Sequence, residues 1–95
     1  MARKEEQRGP TLIAMYVWFI ETIYKAKRIS FKELNEKWVD YEDYSGGVGI
    51  PKRTFDNWRY AIWDLFGIDI IYENRGQYRY FIDNEEVISK NGLRS

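Results

Sequence analysis

The sequence predicts a small α+β domain, mainly helical. Apolar residues recur at helical spacing in successive segments, two short runs rich in β-branched and aromatic residues follow them, and a glycine-containing turn separates those runs. The chain has 95 residues, the size of one domain, and its 44% hydrophobic and 32% charged residues exclude both disorder and a multi-domain enzyme. Four Trp, eight Tyr and five Phe supply the bulk for one compact core.

Residues 1–10 read as a flexible N-terminal segment, 11–83 as the folded domain, and 84–95 as a polar tail or the start of a linker, with at most one helical turn around 85–88. Pro10 and Thr11 form a helix entry, and a first helix is predicted from Thr11 to Lys27, with Leu12, Met15, Tyr16, Phe19, Ile20 and Ile23 on one face. Arg28 and Ile29 make a short extended link. Ser30 and Glu33 then have the spacing of a capping box, in which hydroxyl and carboxylate each satisfy a free amide of the first turn. A second helix therefore starts at Phe31 and carries Leu34, Trp38 and Tyr41 in register to about Asp40.

Tyr41 to Gly49 breaks the period with glycines and acids and reads as a surface loop. Pro51 restarts order, because its fixed φ suits the first turn of a helix. The third helix is predicted over Lys52 to Phe66, with Phe55, Trp58, Arg59, Ile62, Leu65 and Phe66 on one side of the helical wheel and the apolar ones among them inward, and Gly67 ends it. Ile68 to Glu73 and Tyr78 to Ile82 are the strands of a β-hairpin turning through Asn74 to Gln77, with Gly76 at positive φ. Three helices followed by a two-stranded hairpin is the element order of a winged helix-turn-helix, with the hairpin as the wing.

Lys plus Arg and Asp plus Glu both number 15, so net charge is zero and a polyanion must be met by a local patch. With no His and no Cys, the chain lacks imidazole bases, thiol nucleophiles, disulfides and zinc sites of the usual kind. The expectation is a protein that is not an enzyme and has no cofactor. No apolar run approaches the roughly 18 residues of a membrane helix and the start has no signal-peptide pattern, so a cytoplasmic protein is the default reading. Ser45-Gly-Gly-Val-Gly49 lacks the strand before it and the Lys that a phosphate-binding loop needs, and Asp40, Glu42 and Asp43 lack the spacing of a calcium loop.

With the third helix packed in this way, its N-terminal half presents Arg53, Asp56, Asn57 and Tyr60 outward, and Asp64 follows them. Arg bridges guanine acceptors and Asn pairs bidentately with adenine, so Arg53 and Asn57 lead the DNA base-reading set, joined by Asp56 as an acceptor for cytosine and by Tyr60. Lys52, Thr54 and Arg59 suit phosphates, and Arg75 and Arg79 on the wing suit backbone or minor groove. Each of these residues alone also reads as an ordinary solvated side chain; their placement together on one helix is the better evidence. Three basic residues against one acid between Pro51 and Tyr60 make a modest patch, so a lone monomer should bind DNA weakly, on the order of 10⁻⁴ to 10⁻⁶ M. Trp63, at the edge of the apolar arc, reads first as core packing and second as a contact to another domain, while Trp18 and Trp38 read as core. For Tyr72, Tyr78 and Tyr80, cross-strand pairing is a simpler reading than stacking on bases.

The segments Arg28-Ile-Ser-Phe-Lys-Glu-Leu-Asn-Glu-Lys-Trp38, Ile50-Pro-Lys-Arg-Thr-Phe-Asp-Asn-Trp-Arg59 and Ala61 to Ile70 resemble the N-terminal winged-helix domain of WYL-domain transcriptional regulators of the Bacteroidetes type. The resemblance spans about Leu12 to Ile82 and rests on Pro51, Arg53, Thr54, Phe55 and Asn57 in register; Trp58 departs from the polar residue often found there. It implies double-stranded DNA binding by the third helix and the wing. It also implies a C-terminal WYL sensor domain in a full-length bacterial regulator, and helix-turn-helix proteins commonly act as homodimers. The alternative is a winged-helix protein-protein interaction module that does not bind DNA.

Overall fold

A computed structural model describes residues 11–73, 76 and 78–91. The expected flexible segment 1–10 and residues 92–95 lie outside it. The elements are α1 (Leu12–Ala26), β1 (Ile29–Ser30), α2 (Phe31–Asp40), α3 (Glu42–Ser45), α4 (Lys52–Phe66), β2 (Ile70–Glu73), β3 (Arg79–Ile82) and α5 (Glu86–Asn91). The chain is α+β and mainly helical, with five helices among the described residues where three were expected. One antiparallel sheet has the order β1-β3-β2.

Local chemistry sets the helix boundaries. Thr11 Oγ1 accepts from Ala14 N at 3.1 Å and caps α1. The capping box of α2 is formed on both sides, with Glu33 N donating to Ser30 Oγ at 3.1 Å and Ser30 N to Glu33 Oε1 at 3.2 Å. Gly67, at φ 68°, closes α4 by donating its amide to Trp63 O, a left-handed position that favours glycine.

The extra elements are short ones that apolar periodicity cannot show. The expected loop over 41–49 contains the single turn α3, held by Ser45 Oγ donating to Val39 O at 3.1 Å. The expected link at Ile29 is instead a strand: Ile29 pairs with Tyr80 and Ser30 with Arg79, making a third strand of the sheet. The single turn expected at 85–88 is the longer α5, and Ile88 is buried in the core, so the packed unit reaches beyond residue 83. Asn84 ties that end down, accepting from Asp69 N at 2.9 Å and donating to Gly67 O at 2.8 Å.

The core sits between α1, α2, α4 and the inner face of the sheet. Phe19, fully buried, stacks on Trp38 at 5.1 Å and meets Phe55 at 5.6 Å and Trp58 at 5.4 Å. Burying side chains of this size contributes about 1.5–3 kcal/mol each before ordering costs. Trp38 is buried and Trp18 packs on it edge to face, as the sequence suggested. Four apolar residues depart from expectation, the first being Tyr41, exposed at the C-cap of α2. Leu12 is exposed, lying one turn before Tyr16, whose ring meets Trp58. Leu65 and Trp63 are also exposed, because α4 buries a narrow stripe. Phe55 and Ile62 lie on its centre line, and at about 100° per residue Leu65 and Trp63 fall well to either side.

Candidate nucleic-acid interface

The start of α4 is positioned by Asn35 of α2. Its Oδ1 accepts from Ile50 N at 2.9 Å and its Nδ2 donates to Ile50 O at 3.4 Å, pinning the segment just ahead of the helix. Gly49 leaves room for this contact: a Cβ at that position would stand 3.2 Å from Asn35 Nδ2, so the amide would have to shift by a few tenths of an ångström. Pro51 follows as the cap residue, with its carbonyl accepting from Phe55 N, and no side chain caps the first amides of α4. Those amides and the positive end of the helix dipole are left facing outward.

From that origin α4 presents two stripes. Arg53, Asn57 and Tyr60, one turn apart in succession, are all exposed on the side opposite the core; Tyr60 is 72% exposed and Asp64 continues the line. Among the described residues neither Arg53 nor Asn57 has a side-chain partner. Their donors and acceptors are available to a ligand.

The second stripe is Lys52, Asp56 and Arg59, which face the hairpin. Lys52 Nζ donates to Asp56 Oδ2 at 2.9 Å, and Arg59 Nη1 donates to Asp56 Oδ1 at 3.0 Å. Arg59 Nε and Nη2 both reach Ile70 O on β2, at 3.2 and 2.9 Å. Its guanidinium lies over the Tyr80 ring at 5.0 Å, with Lys52 Nζ at 5.8 Å from the same ring. Burial alone would raise the Asp56 pKa, but the hydrogen bonds and charges of Lys52 and Arg59 outweigh it and hold the carboxyl below its ordinary value. The hydrogen bonds to Asp56 and Tyr80 raise the Lys52 pKa in turn. Asp56 and Arg59, taken from the sequence as contacts to base and phosphate, are thus already engaged inside the domain, while Lys52 keeps about half of its side chain exposed.

The remaining sequence candidates are distributed differently. Thr54 is half-buried. Arg79 lies on the outer face of the hairpin, away from α4, with Nε 3.8 Å from Glu73 Oε1, which Arg28 approaches at 3.6 Å. Arg75 lies outside the described residues. Gly76 has the expected positive φ, 70°. Trp63 and Tyr60 line a shallow depression of about 210 Å³ with Arg59, Asp69 and Ile70. The Arg59-to-Ile70 clamp was missed by sequence reasoning, because a carbonyl acceptor has no sequence signature. No helix of the described residues is long and apolar enough to cross a membrane. Comparison with protein-family models, with curated proteins and with solved structures finds no match to this chain.

Proposed function

We propose that this chain is a winged-helix domain that binds double-stranded DNA as part of a bacterial, cytoplasmic transcription regulator, with α4 as recognition helix and the β2-β3 hairpin as wing. The observation that carries it is the exposed Arg53, Asn57, Tyr60 stripe, unpartnered among the described residues, on the first turns of a helix whose terminal amides are uncapped. Arg and Asn are the side chains best suited to guanine and adenine edges, and the N-terminal half of a recognition helix is the part that enters the major groove. Apart from the short α3 and α5, the order α1-β1-α2-α4-β2-β3, with β1 pairing with β3, supports the winged-helix part of the reading. Arg53 and Asn57 read bases with Tyr60 beside them, Lys52 swings to a phosphate, and Asp56 and Arg59 hold the helix to the wing. The resemblance to WYL-domain regulators adds a sensor domain and a homodimer as partners.

The test is titration of isotope-labelled protein with a mixed-sequence duplex at low and then higher salt. Salt-sensitive amide shifts confined to 52–60 and to the hairpin are expected. Absence of shifts at low salt overturns the reading.

A second reading is a protein-interaction module that does not bind DNA. It is favoured by the exposure of Trp63 and Leu65, 52% and 58%, on the C-terminal half of α4. Self-association that depends on concentration and is lost in Trp63→Ala, with no response to DNA, is its signature.

A further inference from the structure

Two tyrosines of the hairpin are left over by the packing. On the inner face of the sheet Ile70 pairs with Ile82 and Tyr72 with Tyr80. Ile70, Ile82 and Tyr80 are buried, and Tyr80 meets Phe55 edge to face at 5.0 Å. The aromatic surface does not stop there. Tyr72 lies 5.0 Å from Tyr80, and Tyr78 lies 6.4 Å beyond Tyr72 with the two ring planes only 27° apart. Tyr72 is 41% and Tyr78 59% exposed, so a ladder of three rings runs from beneath the first turns of α4 out along the wing and ends at the exposed Tyr78.

The backbone gives a second, independent observation. Tyr78 has φ 53°, a left-handed conformation that aromatic side chains rarely adopt. Strain of this kind persists where the surroundings or a ligand use it, and here it accompanies a ring held beside Tyr72 rather than in the core.

The chemistry of the ladder selects its ligand. A duplex presents phosphates and sugars to a wing, and phosphates call for cations. On this face the described cations are Lys52, which the reading above gives to the duplex, and Arg59, held on Asp56 and Ile70 O, and Arg79 lies on the opposite face. What the ladder offers instead is exposed aromatic surface, which suits the face of an unpaired nucleobase. We propose that Tyr72 and Tyr78 form a stacking platform for an unpaired base, so that the domain engages a duplex next to a single-stranded or extruded nucleotide. The inference rests on the DNA-binding reading above and adds a class of ligand to it.

The test uses the full chain and DNAs of one mixed sequence at low salt: a blunt duplex, and the same duplex with a short single-stranded overhang carrying 2-aminopurine at its first unpaired position. The overhang is expected to tighten binding roughly tenfold, the effect of one stacked base, and the 2-aminopurine fluorescence to be quenched on binding. Tyr72→Leu and Tyr78→Leu are expected to abolish both effects, so that the overhang and the blunt duplex bind alike, and Tyr72→Trp to retain both. Unquenched 2-aminopurine with equal affinity for the two DNAs in the unaltered protein overturns the platform and leaves the duplex reading standing. Failure to bind either DNA overturns both. The measurements on the unaltered protein decide the matter even where a leucine variant fails to fold.

Discussion

The guanidinium of Arg59 on α4 donates twice to the carbonyl oxygen of Ile70 on β2, from Nε at 3.2 Å and from Nη2 at 2.9 Å. β2 is an edge strand, so this carbonyl is an acceptor that no strand pairing has to satisfy. One side chain therefore ties the helix to the hairpin, beside the core contact of Phe55 with Tyr80. With its third nitrogen on Asp56, Arg59 has its hydrogen-bonding capacity directed inward.

Arg59→Ala is expected to lower folding stability by about 1–3 kcal/mol, since Ile70 O loses its donors and Asp56 one of its two cations. Arg59→Lys should lie between the two, because an ammonium keeps the charge but cannot fork onto the carbonyl. Urea unfolding followed by tryptophan fluorescence measures this. Unchanged stability, with DNA affinity alone reduced, would assign Arg59 to phosphate instead.

Arg53→Ala and Asn57→Ala leave nothing unsatisfied inside the domain and are expected to change stability by less than about 0.5 kcal/mol. Each should weaken binding to a selected DNA site by about 1–3 kcal/mol and relax preference at one base position. Fluorescence anisotropy on the site and its single-base variants checks both. Full affinity with intact preference in both variants would remove them from the interface.

The Asp56 cluster carries a pH signature. Its folded-state pKa is depressed, so the contribution of the ionised carboxylate is present above its unfolded value and is lost as pH falls through the folded one, below about pH 4. Lys52 has the opposite sign: its raised pKa makes a contribution present below the unfolded value and lost as pH rises through the folded one. Unfolding midpoints from pH 2 to 6 should therefore fall more steeply toward acid in the unaltered protein than in Asp56→Asn. Identical slopes would show that the cluster is too solvated to matter.

Lys27 closes α1 at φ 70° and ψ −56°, a rare and strained combination for a residue with a side chain. Its ammonium reaches Glu85 Oε1 at 3.3 Å, an exposed pair of small value. Lys27→Gly and Lys27→Ala both remove that pair, but only glycine relieves the backbone. The glycine variant is expected to be the more stable of the two by about 1 kcal/mol. Thermal melts of both compare them directly, and a more stable alanine variant would mean that the strain is negligible.

The main elements were legible because each depends on its own neighbours. The capping box at Ser30 and Glu33, the helix stop at Gly67 and the positive φ at Gly76 are local chemistry, and the structure places them where the sequence does. The outward line of Arg53, Asn57 and Tyr60 follows from helical periodicity once Phe55 and Ile62 are inside. The short elements β1, α3 and α5 were not legible: two to six residues are too few for a hydrophobic period, and each is held by contacts distant in sequence or by a single turn's hydrogen bonds.

The sequence by itself determined where α1, α2 and α4 begin and end, that the fold is α+β, and which face of α4 is turned from the core, since amide capping and periodic burial act over a few residues. Tertiary structure alone decided the roles within that face. Trp63 and Leu65 are outside because α4 meets its neighbours along a stripe narrower than its apolar arc. Arg59 and Asp56 turn inward because the edge of β2 arrives beside them with an unpaired carbonyl, a juxtaposition made only when residues eleven apart in sequence are folded against each other.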